Sequence, residues 1–171
     1  MGKIHVLSSE VSNKIAAGEV VERPSSVIKE LVENSIDAGA TLISVEIKKG
    51  GSIYMRVSDN GSGMSEEDAK ICFLRHATSK VQTSSDLDAI YTLGFRGEAL
   101  SSIGAVAEVE LFTKRHEDET GVCVTCKGGE ILSSDEAGIP DGTSILVENL
   151  FFNTPARRKF LKKDATEAGY I

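Results

Sequence analysis

Two polar side chains one helical turn apart, Glu30 and Asn34, are the first residues of this sequence that could do chemistry. An Asn oxygen is a hard, neutral ligand of the kind that Mg²⁺ accepts when its other ligands are waters and substrate phosphates. A carboxylate one turn away could orient or deprotonate an attacking water. The pair therefore predicts a metal and nucleotide site. The same spacing also fits a solvated helix face that carries a weak side-chain pair.

The segment DNGSGM, residues 59–64, is a second candidate binding element. Asp59 ends an alternating strand pattern, and Gly61 and Gly63 let the backbone approach a flat ligand closely. The Asp59 carboxylate could accept the exocyclic N–H of adenine. The alternative is an ordinary turn in which Asp59 caps its own backbone.

The segment GFRGEAL, residues 94–100, places two glycines and Arg96 ahead of a predicted helix. Free N–H groups at the start of that helix, together with the guanidinium, could hold phosphate oxygens. No Walker A sequence occurs in the chain, so a nucleotide phosphate must be held by a turn of this kind. The polar segment 77–86 is predicted to be a mobile loop, able to close over the nucleotide as a lid.

The elements that position these residues follow from local patterns. Pro24 near its start, Gly39 beyond its end and apolar residues at helical spacing predict the helix that carries Glu30 and Asn34. Two alternating segments around the turn KKGGS predict a β-hairpin. Further strands are predicted at 107–113, 122–127 and 144–148. Further helices are predicted at 8–21, 66–74 and 87–93, with Gly18 as a stop signal for the first of them. Two more helices are predicted, one after the glycine turn of 94–98 and one from Pro155 onward. This order predicts an α+β layer fold on a mixed or antiparallel sheet.

Composition bounds the function class. The 171 residues are 40% hydrophobic, which suits a single globular domain, and neither a membrane-spanning apolar run nor a signal-peptide pattern occurs, so a cytosolic setting is expected. The net charge of −7 opposes general nucleic-acid binding by the whole surface. RRKFLKK, residues 157–163, is the local exception, and it fits either a solvated amphipathic helix or a DNA-contacting patch.

The three cysteines are an odd number in a chain without a secretion signal, so we expect no disulfide framework. Cys123 and Cys126 form a lone CxxC on an alternating segment. Residues three apart on a strand point to opposite faces, and no second Cys or His pair follows, so no metal site is expected there.

Three of these segments, together with the DGT of residues 141–143, are similar to the four motifs of the GHKL ATPase superfamily, which includes gyrase-type topoisomerases, Hsp90, histidine kinases and MutL. The three segments are Glu30–Asn34, DNGSG and GFRGEAL. Five longer blocks resemble MutL-type DNA mismatch repair proteins specifically, and the resemblance runs over nearly the whole chain. These blocks are IAAGEVVERP (15–24), ELVENSIDAGA (30–40), RHATSK (75–80), GFRGEALSSI (94–103) and FFNTPARRKFL (151–161).

The resemblance implies a Bergerat fold, a two-layer α+β fold with a mixed, mostly antiparallel sheet covered by helices, that binds ATP and Mg²⁺. It implies that Glu30 is the general base, Asn34 the Mg²⁺ ligand and Asp59 the adenine contact. Thr143 would support the adenine site from a neighbouring strand. The other nucleotide-binding positions that it implies are Gly61, Gly63, Met64, Thr78, Ser79, Arg96, Gly97, Ala99 and Leu100.

The resemblance also implies a longer protein, in which a second domain supplies a lysine to the γ-phosphate and a C-terminal domain dimerises. Residues 1–171 are then expected to form the ATPase domain and to bind nucleotide better than they hydrolyse it. The implied partners are a second copy of the chain, joined further by ATP-dependent N-terminal dimerisation, a MutS-like mismatch-recognition protein and DNA. Two alternatives stand beside this interpretation: a nucleotide-gated interaction module without useful hydrolysis, and a topoisomerase subunit or chaperone of the same superfamily.

Overall fold

The computed structural model describes residues 2, 4–74 and 99–171, and this part of the chain forms six α-helices and six strands. The helices are α1 (Ser9–Val20), α2 (Pro24–Asp37), α3 (Glu66–Ile71), α4 (Ala99–Val106), α5 (Pro155–Phe160) and α6 (Asp164–Tyr170). The strands are β1 (Ile43–Lys48), β2 (Tyr54–Asp59), β3 (Glu108–Lys114), β4 (Gly121–Lys127), β5 (Glu130–Ala137) and β6 (Gly142–Glu148). The predicted loop at 77–86, the predicted helix at 87–93 and the glycine turn at 94–98 lie outside the described residues.

The strands form one sheet in the order β1-β2-β6-β3-β4-β5. All neighbouring pairs among the described strands are antiparallel. The predicted α+β layer fold is confirmed, with an antiparallel rather than a mixed sheet in this part of the chain. The β2–β6 register places Asp59 opposite Thr143, and the β3–β6 register places Thr113 opposite Thr143. Three sequence-distant residues therefore meet at one end of the sheet.

The helices cover one face of the sheet and form the second layer. Helix α2 packs against β2, helix α4 against β3 and β4, and α1 packs on α4. The period-2 alternation of β3 buries Val109, Leu111 and Thr113 on this side. The core between the layers also contains Leu31, Met55, Ile103, Val124, Val147 and Phe151.

The β1–β2 hairpin is confirmed, and its turn shows why two glycines follow Lys49. Gly50 and Gly51 have φ of 67° and 90°, a left-handed conformation that side chains with a Cβ rarely adopt. A Cβ on Gly51 would lie 2.7 Å from the Cβ of Pro24, at the start of α2. The hairpin turn thus packs directly against the helix that carries Glu30.

Three local predictions were wrong. Strand β5 was not predicted, because its residues are mostly exposed at the sheet edge and show little alternation of apolar side chains. The C-terminal part forms two short helices, since Leu161 adopts an extended conformation with φ of −63° and ψ of 140°. Gly18 does not end α1. The missing Cβ of Gly18 instead leaves room for the guanidinium of Arg157, which packs against it.

None of the helices in the described ranges is long and apolar enough to cross a membrane.

Candidate functional site

Helix α2 carries the predicted base and metal ligand. It begins at a buried Pro24, and Glu30 and Asn34 are partly exposed beside the buried Leu31 and Ser35. Glu30 and Asn34 therefore follow the edge of the helix that enters the core, one turn apart. This arrangement fits the predicted metal and nucleotide site better than a fully solvated helix face.

The Asp59 carboxylate joins three elements at the end of β2. Its Oδ1 accepts the N–H of Gly61 at 2.8 Å and the N–H of Thr143 at 3.2 Å. Its Oδ2 lies 2.6 Å from Ser35 Oγ, which also lies 3.1 Å from the Leu31 carbonyl oxygen. Asp59 therefore caps its own turn, as the alternative interpretation expected, and also ties α2 and β6 to β2. No local sequence signal singled out Ser35, although it directly follows Asn34 on the same helix.

The glycines of DNGSGM allow backbone segments to pack closely. A Cβ on Gly61 would lie 2.9 Å from both the Cβ and the carbonyl oxygen of Ala38, just beyond the end of α2. Gly63 has φ of 68°, and a Cβ there would overlap the Lys114 carbonyl oxygen at the end of β3. The loop after Asp59 is thus held between α2 and β3, which shapes the backbone on this side of the carboxylate.

A pair of hydroxyls lies next to this loop. Thr113 is fully buried, and its Oγ1 is 2.9 Å from Thr143 Oγ1. Thr113 Oγ1 also accepts the N–H of Met64 at 2.8 Å. Met64 and Thr143, two of the positions implied by the resemblance, are therefore brought together by Thr113, which sequence analysis missed. Only the β3–β6 register reveals that Thr113 lies opposite Thr143.

Asp141, the first residue of the DGT segment, holds the start of β6 in place. Lys114 Nζ lies 2.6 Å from one carboxylate oxygen of Asp141, and His116 Nδ1 lies 2.9 Å from the other. The hydrogen bond from Lys114, followed by that from His116, lowers the pKa of Asp141. The following Gly142 has φ of 117°, and a Cβ there would overlap the Asp59 carbonyl oxygen. This turn thus brings Thr143 close to the Asp59 carboxylate.

The predicted phosphate-binding positions are described only in part. Helix α4 begins at Ala99, which is buried, and Leu100 packs partly buried against the core. The helix predicted after the glycine turn of 94–98 is confirmed. Thr78, Ser79, Arg96 and Gly97 lie outside the described residues, and their contact with phosphate remains a prediction.

The CxxC cysteines differ in environment, as strand alternation predicted. Cys126 is fully buried, whereas Cys123 is half-buried, and a register shift in the β4–β5 pair falls between Thr125 and Cys126. Burial raises the pKa of the Cys126 thiol to about 11 and is the main cause that raises the pKa of Cys72 to about 12. Both groups are therefore held as neutral thiols near neutral pH.

The buried Cys126 thiol makes stability fall at alkaline pH. Above about pH 9 the unfolded thiol loses its proton while the folded one keeps it, so the native state binds more protons and the free energy of unfolding decreases with pH. We expect Cys126→Ala to remove a slope of about 1.4 kcal/mol per pH unit between about pH 9 and 11. Urea unfolding of reduced protein across this range measures it. Cys123→Ala is the control, with a smaller change, and identical slopes for Cys126→Ala and the unsubstituted chain would contradict the prediction.

Comparison with known proteins agrees with this geometry. The family model described as "Histidine kinase-, DNA gyrase B-, and HSP90-like ATPase" matches residues 22–154. The DNA mismatch repair protein MutL of Koribacter versatilis is 57% identical over 171 residues, which cover 100% of this chain and 26% of that protein. MutL of Caldanaerobacter subterraneus subsp. tengcongensis is also 57% identical over 171 residues, covering 100% of this chain and 29% of the relative. The chain thus spans between a quarter and a third of the length of these curated relatives.

Solved structures lead to the same family. The Aquifex aeolicus MutL ATPase domain complexed with ADP has a TM-score of 0.69 and 37% sequence identity, over 88% of this chain and 52% of that one. The K252N form of the same domain has a TM-score of 0.67 and 37% identity, over 88% of this chain and 49% of that one. The resemblance stated from the motifs is confirmed: the chain belongs to the histidine kinase-, DNA gyrase B- and HSP90-like ATPase family, with an ATP-binding domain of the MutL type.

Proposed function

We propose that this chain binds and hydrolyses ATP as the ATPase domain of a MutL-like DNA mismatch repair protein. The observation that carries the proposal is the Asp59 carboxylate at the junction of α2, β2 and β6. Among the described residues, its Oδ1 accepts two N–H groups, whereas its Oδ2 has only Ser35 Oγ within hydrogen-bond distance. A carboxylate oxygen has lone pairs for more than one donor, so Oδ2 keeps capacity for the amino group of adenine.

The reacting end of the nucleotide would lie further along α2. Ser35, which contacts Asp59, is five residues from Glu30, and that spacing corresponds to about 7.5 Å along the helix axis. One helix then serves both ends of the site. Ser35 supports the Asp59 contact to the adenine base, while Glu30, as the general base, orients the attacking water and accepts its proton. Phosphoryl transfer to water requires mainly positioning and one base, which this arrangement provides.

Magnesium belongs to the proposal because the donor chemistry of α2 fits it. Asn34 is a partly exposed residue with a neutral side-chain oxygen, and Mg²⁺ typically takes few protein ligands together with waters and substrate phosphates. When bound, the metal would neutralise the phosphate charge that develops during transfer. Asn34 would hold it, one turn from Glu30.

The cellular role is inferred from the relatives, which are named as DNA mismatch repair proteins. We propose that residues 1–171 form the N-terminal ATPase domain of a longer chain whose remaining length supplies a lysine to the γ-phosphate and a C-terminal dimerisation domain. ATP binding would close a lid and join two N-terminal domains of a homodimer, signalling from a MutS-like protein to downstream repair factors. Because such repair acts on chromosomal DNA, the proposed location is the cytoplasm of a bacterium, or the nucleus in a eukaryote.

Calorimetric titration with Mg²⁺ and a non-hydrolysable ATP analogue tests the proposed nucleotide site. Saturable binding to this chain is expected, and its absence would contradict the site. Turnover measured with and without the downstream domain then separates an ATPase from a nucleotide-gated interaction module. If the downstream domain allowed binding to partner proteins but not ATP turnover, the result would favour the nucleotide-gated interaction module.

The proposed DNA contact rests on the exposed basic residues of the C-terminal part. The exposed cations are Arg158 and Lys159 on α5, and Lys162 and Lys163 after its end. Phe160, which lies between these two pairs in the sequence, is 86% exposed. Arg157 differs, because its guanidinium is turned inward against Gly18. The candidate DNA-contacting surface is therefore made of four cations rather than the five in the sequence block.

Charge reversal tests this surface. We expect Arg158→Glu combined with Lys159→Glu to weaken DNA binding by the longer protein and to lower the salt slope of log K by about 1 for each phosphate that is no longer neutralised. Fluorescence anisotropy at several salt concentrations measures both quantities. Lys70→Glu, on the exposed side of α3, is the control expected to have little effect. Unchanged affinity and slope in the double variant would rule out α5 as a DNA-binding element.

A further inference from the structure

We propose that Thr113 is a positioning residue for base recognition, which orients the Thr143 hydroxyl so that it donates a hydrogen bond toward the nucleotide base. This inference rests on the proposed nucleotide site and adds to it a residue that does not itself contact the nucleotide. Its role is to set the direction of a proton in the hydroxyl pair beside Asp59.

The contacts of Thr113 are those of a buried junction. The residue is 0% exposed on β3, and it lies opposite Thr143 in the β3–β6 register. Among the described residues, its Oγ1 has three polar neighbours: the Met64 nitrogen at 2.8 Å, Thr143 Oγ1 at 2.9 Å and the Gly142 carbonyl oxygen at 3.3 Å. Thr143 also donates its backbone N–H to Asp59 Oδ1, so the two hydroxyls lie next to the proposed base contact.

The distances favour one direction for the hydrogen bond between the two hydroxyls, which either oxygen could donate at 2.9 Å. Met64 supplies an N–H, so it occupies one acceptor position of Thr113 Oγ1. The Thr113 proton then has two oxygen acceptors within reach. Thr143 Oγ1 lies within the usual range of about 2.5–3.0 Å for an O–H···O hydrogen bond, whereas the Gly142 carbonyl oxygen at 3.3 Å is the weaker partner. In the proposed arrangement Thr113 therefore donates to Thr143. The Thr143 proton then cannot also lie between the two hydroxyl oxygens, so it points toward another acceptor.

This orientation matches the edge of adenine. Adenine presents an amino donor beside a ring-nitrogen acceptor, and the site offers a carboxylate acceptor at Asp59 beside a hydroxyl donor at Thr143. Guanine presents the reverse order, so its carbonyl oxygen would face the carboxylate and its ring N–H would face the hydroxyl proton. A buried site whose polar groups are mismatched rejects a ligand strongly. Thr113 thus contributes to the preference for adenine by holding Thr143 as a donor, either directly to the base or through a water.

Thr113→Val tests the inference, because valine keeps the shape of threonine and removes the hydroxyl. Calorimetric titrations would use Mg²⁺ with a non-hydrolysable ATP analogue and with the matching GTP analogue. We expect Thr113→Val to weaken binding of the ATP analogue by about tenfold, with a smaller effect on the GTP analogue, and so to lower the adenine preference. Thr113→Ser, which keeps the hydroxyl, should restore both affinity and preference. Thr125→Val, the same change on the neighbouring strand β4, is the matched control.

A purely structural role would give a different result. Equal weakening of both analogues by Thr113→Val, or failure of Thr113→Ser to restore the preference, would overturn the inference. If Thr113→Val does not fold, Thr143→Val removes the oriented donor itself, and an unchanged analogue preference in that variant would also overturn it. Asp59→Asn separates the two proposals: binding abolished by Asp59→Asn but unchanged with Thr113→Val rejects the positioning role alone, whereas no binding by the unsubstituted chain rejects the nucleotide site.

Discussion

Asp59→Asn is expected to weaken binding of the ATP analogue by at least about a hundredfold while the protein stays folded. The two N–H groups of Gly61 and Thr143 require an oxygen at the Oδ1 position. The asparagine amide must then place its NH₂ group at the Oδ2 position, where Ser35 Oγ can still accept a hydrogen bond. A donor would consequently face the amino group of adenine, and two donors cannot pair.

The calorimetric titration with Mg²⁺ and the analogue measures this effect, and thermal unfolding checks that the fold is kept. Asp135→Asn is a matched control, because Asp135 is on the edge strand β5 and lies away from the hydroxyl pair. The control should bind as the unsubstituted chain does. If Asp59→Asn kept its affinity for the analogue, the adenine base would not be bound by this carboxylate. That result would remove the central element of the proposed site.

Glu30→Ala is expected to keep nucleotide binding within about threefold and to lower turnover by about 10²–10⁴-fold, the usual contribution of a general base. Glu30 lies five residues before Ser35 on α2, away from the base contact, so its removal should not disturb Asp59. Removing the proposed base would leave the attacking water without that acceptor for its proton. Turnover should be measured in the longer protein, in which the proposed second domain would complete the site.

Glu33→Ala supplies the matched control on the same helix. The Glu33 carboxylate lies 3.9 Å from Lys29 Nζ and is an ordinary i,i+4 partner, so its removal should change stability by a few tenths of a kcal/mol and leave turnover intact. Glu30→Gln should resemble Glu30→Ala, since an amide cannot accept the proton. Normal turnover in either Glu30 variant would exclude Glu30 as the base.

The elements that the sequence predicted correctly are those with strong local signals. Helix α2 has a proline at its first turn and apolar residues at helical spacing, and the β1–β2 hairpin has alternating strands around consecutive glycines. Strand β5 escaped prediction because an exposed edge strand buries little and needs no regular apolar pattern. The prediction that Gly18 ends the first helix was wrong because its packing against Arg157, 139 positions later, has no local signature.

The same division applies to the candidate site. The sequence by itself determined the chemistry that the chain can offer: a carboxylate and an amide one turn apart on α2, a carboxylate at the end of β2, and enough motif resemblance to name the family. These depend on residue types and short-range spacing, which the backbone geometry of a helix or strand converts directly into position.

Apart from Thr143, which the motif resemblance implied, only the tertiary structure decided which groups surround Asp59. Ser35, Thr113 and Thr143 reach one end of the sheet through the packing of α2 on β2 and through the order β2-β6-β3, in which strands distant in sequence are neighbours. Strand order and register depend on how the whole chain buries its apolar faces, and a one-residue slip would turn Thr113 away from Thr143. The residues that could react were therefore readable from the sequence, whereas the hydrogen bonds that orient them required the folded sheet.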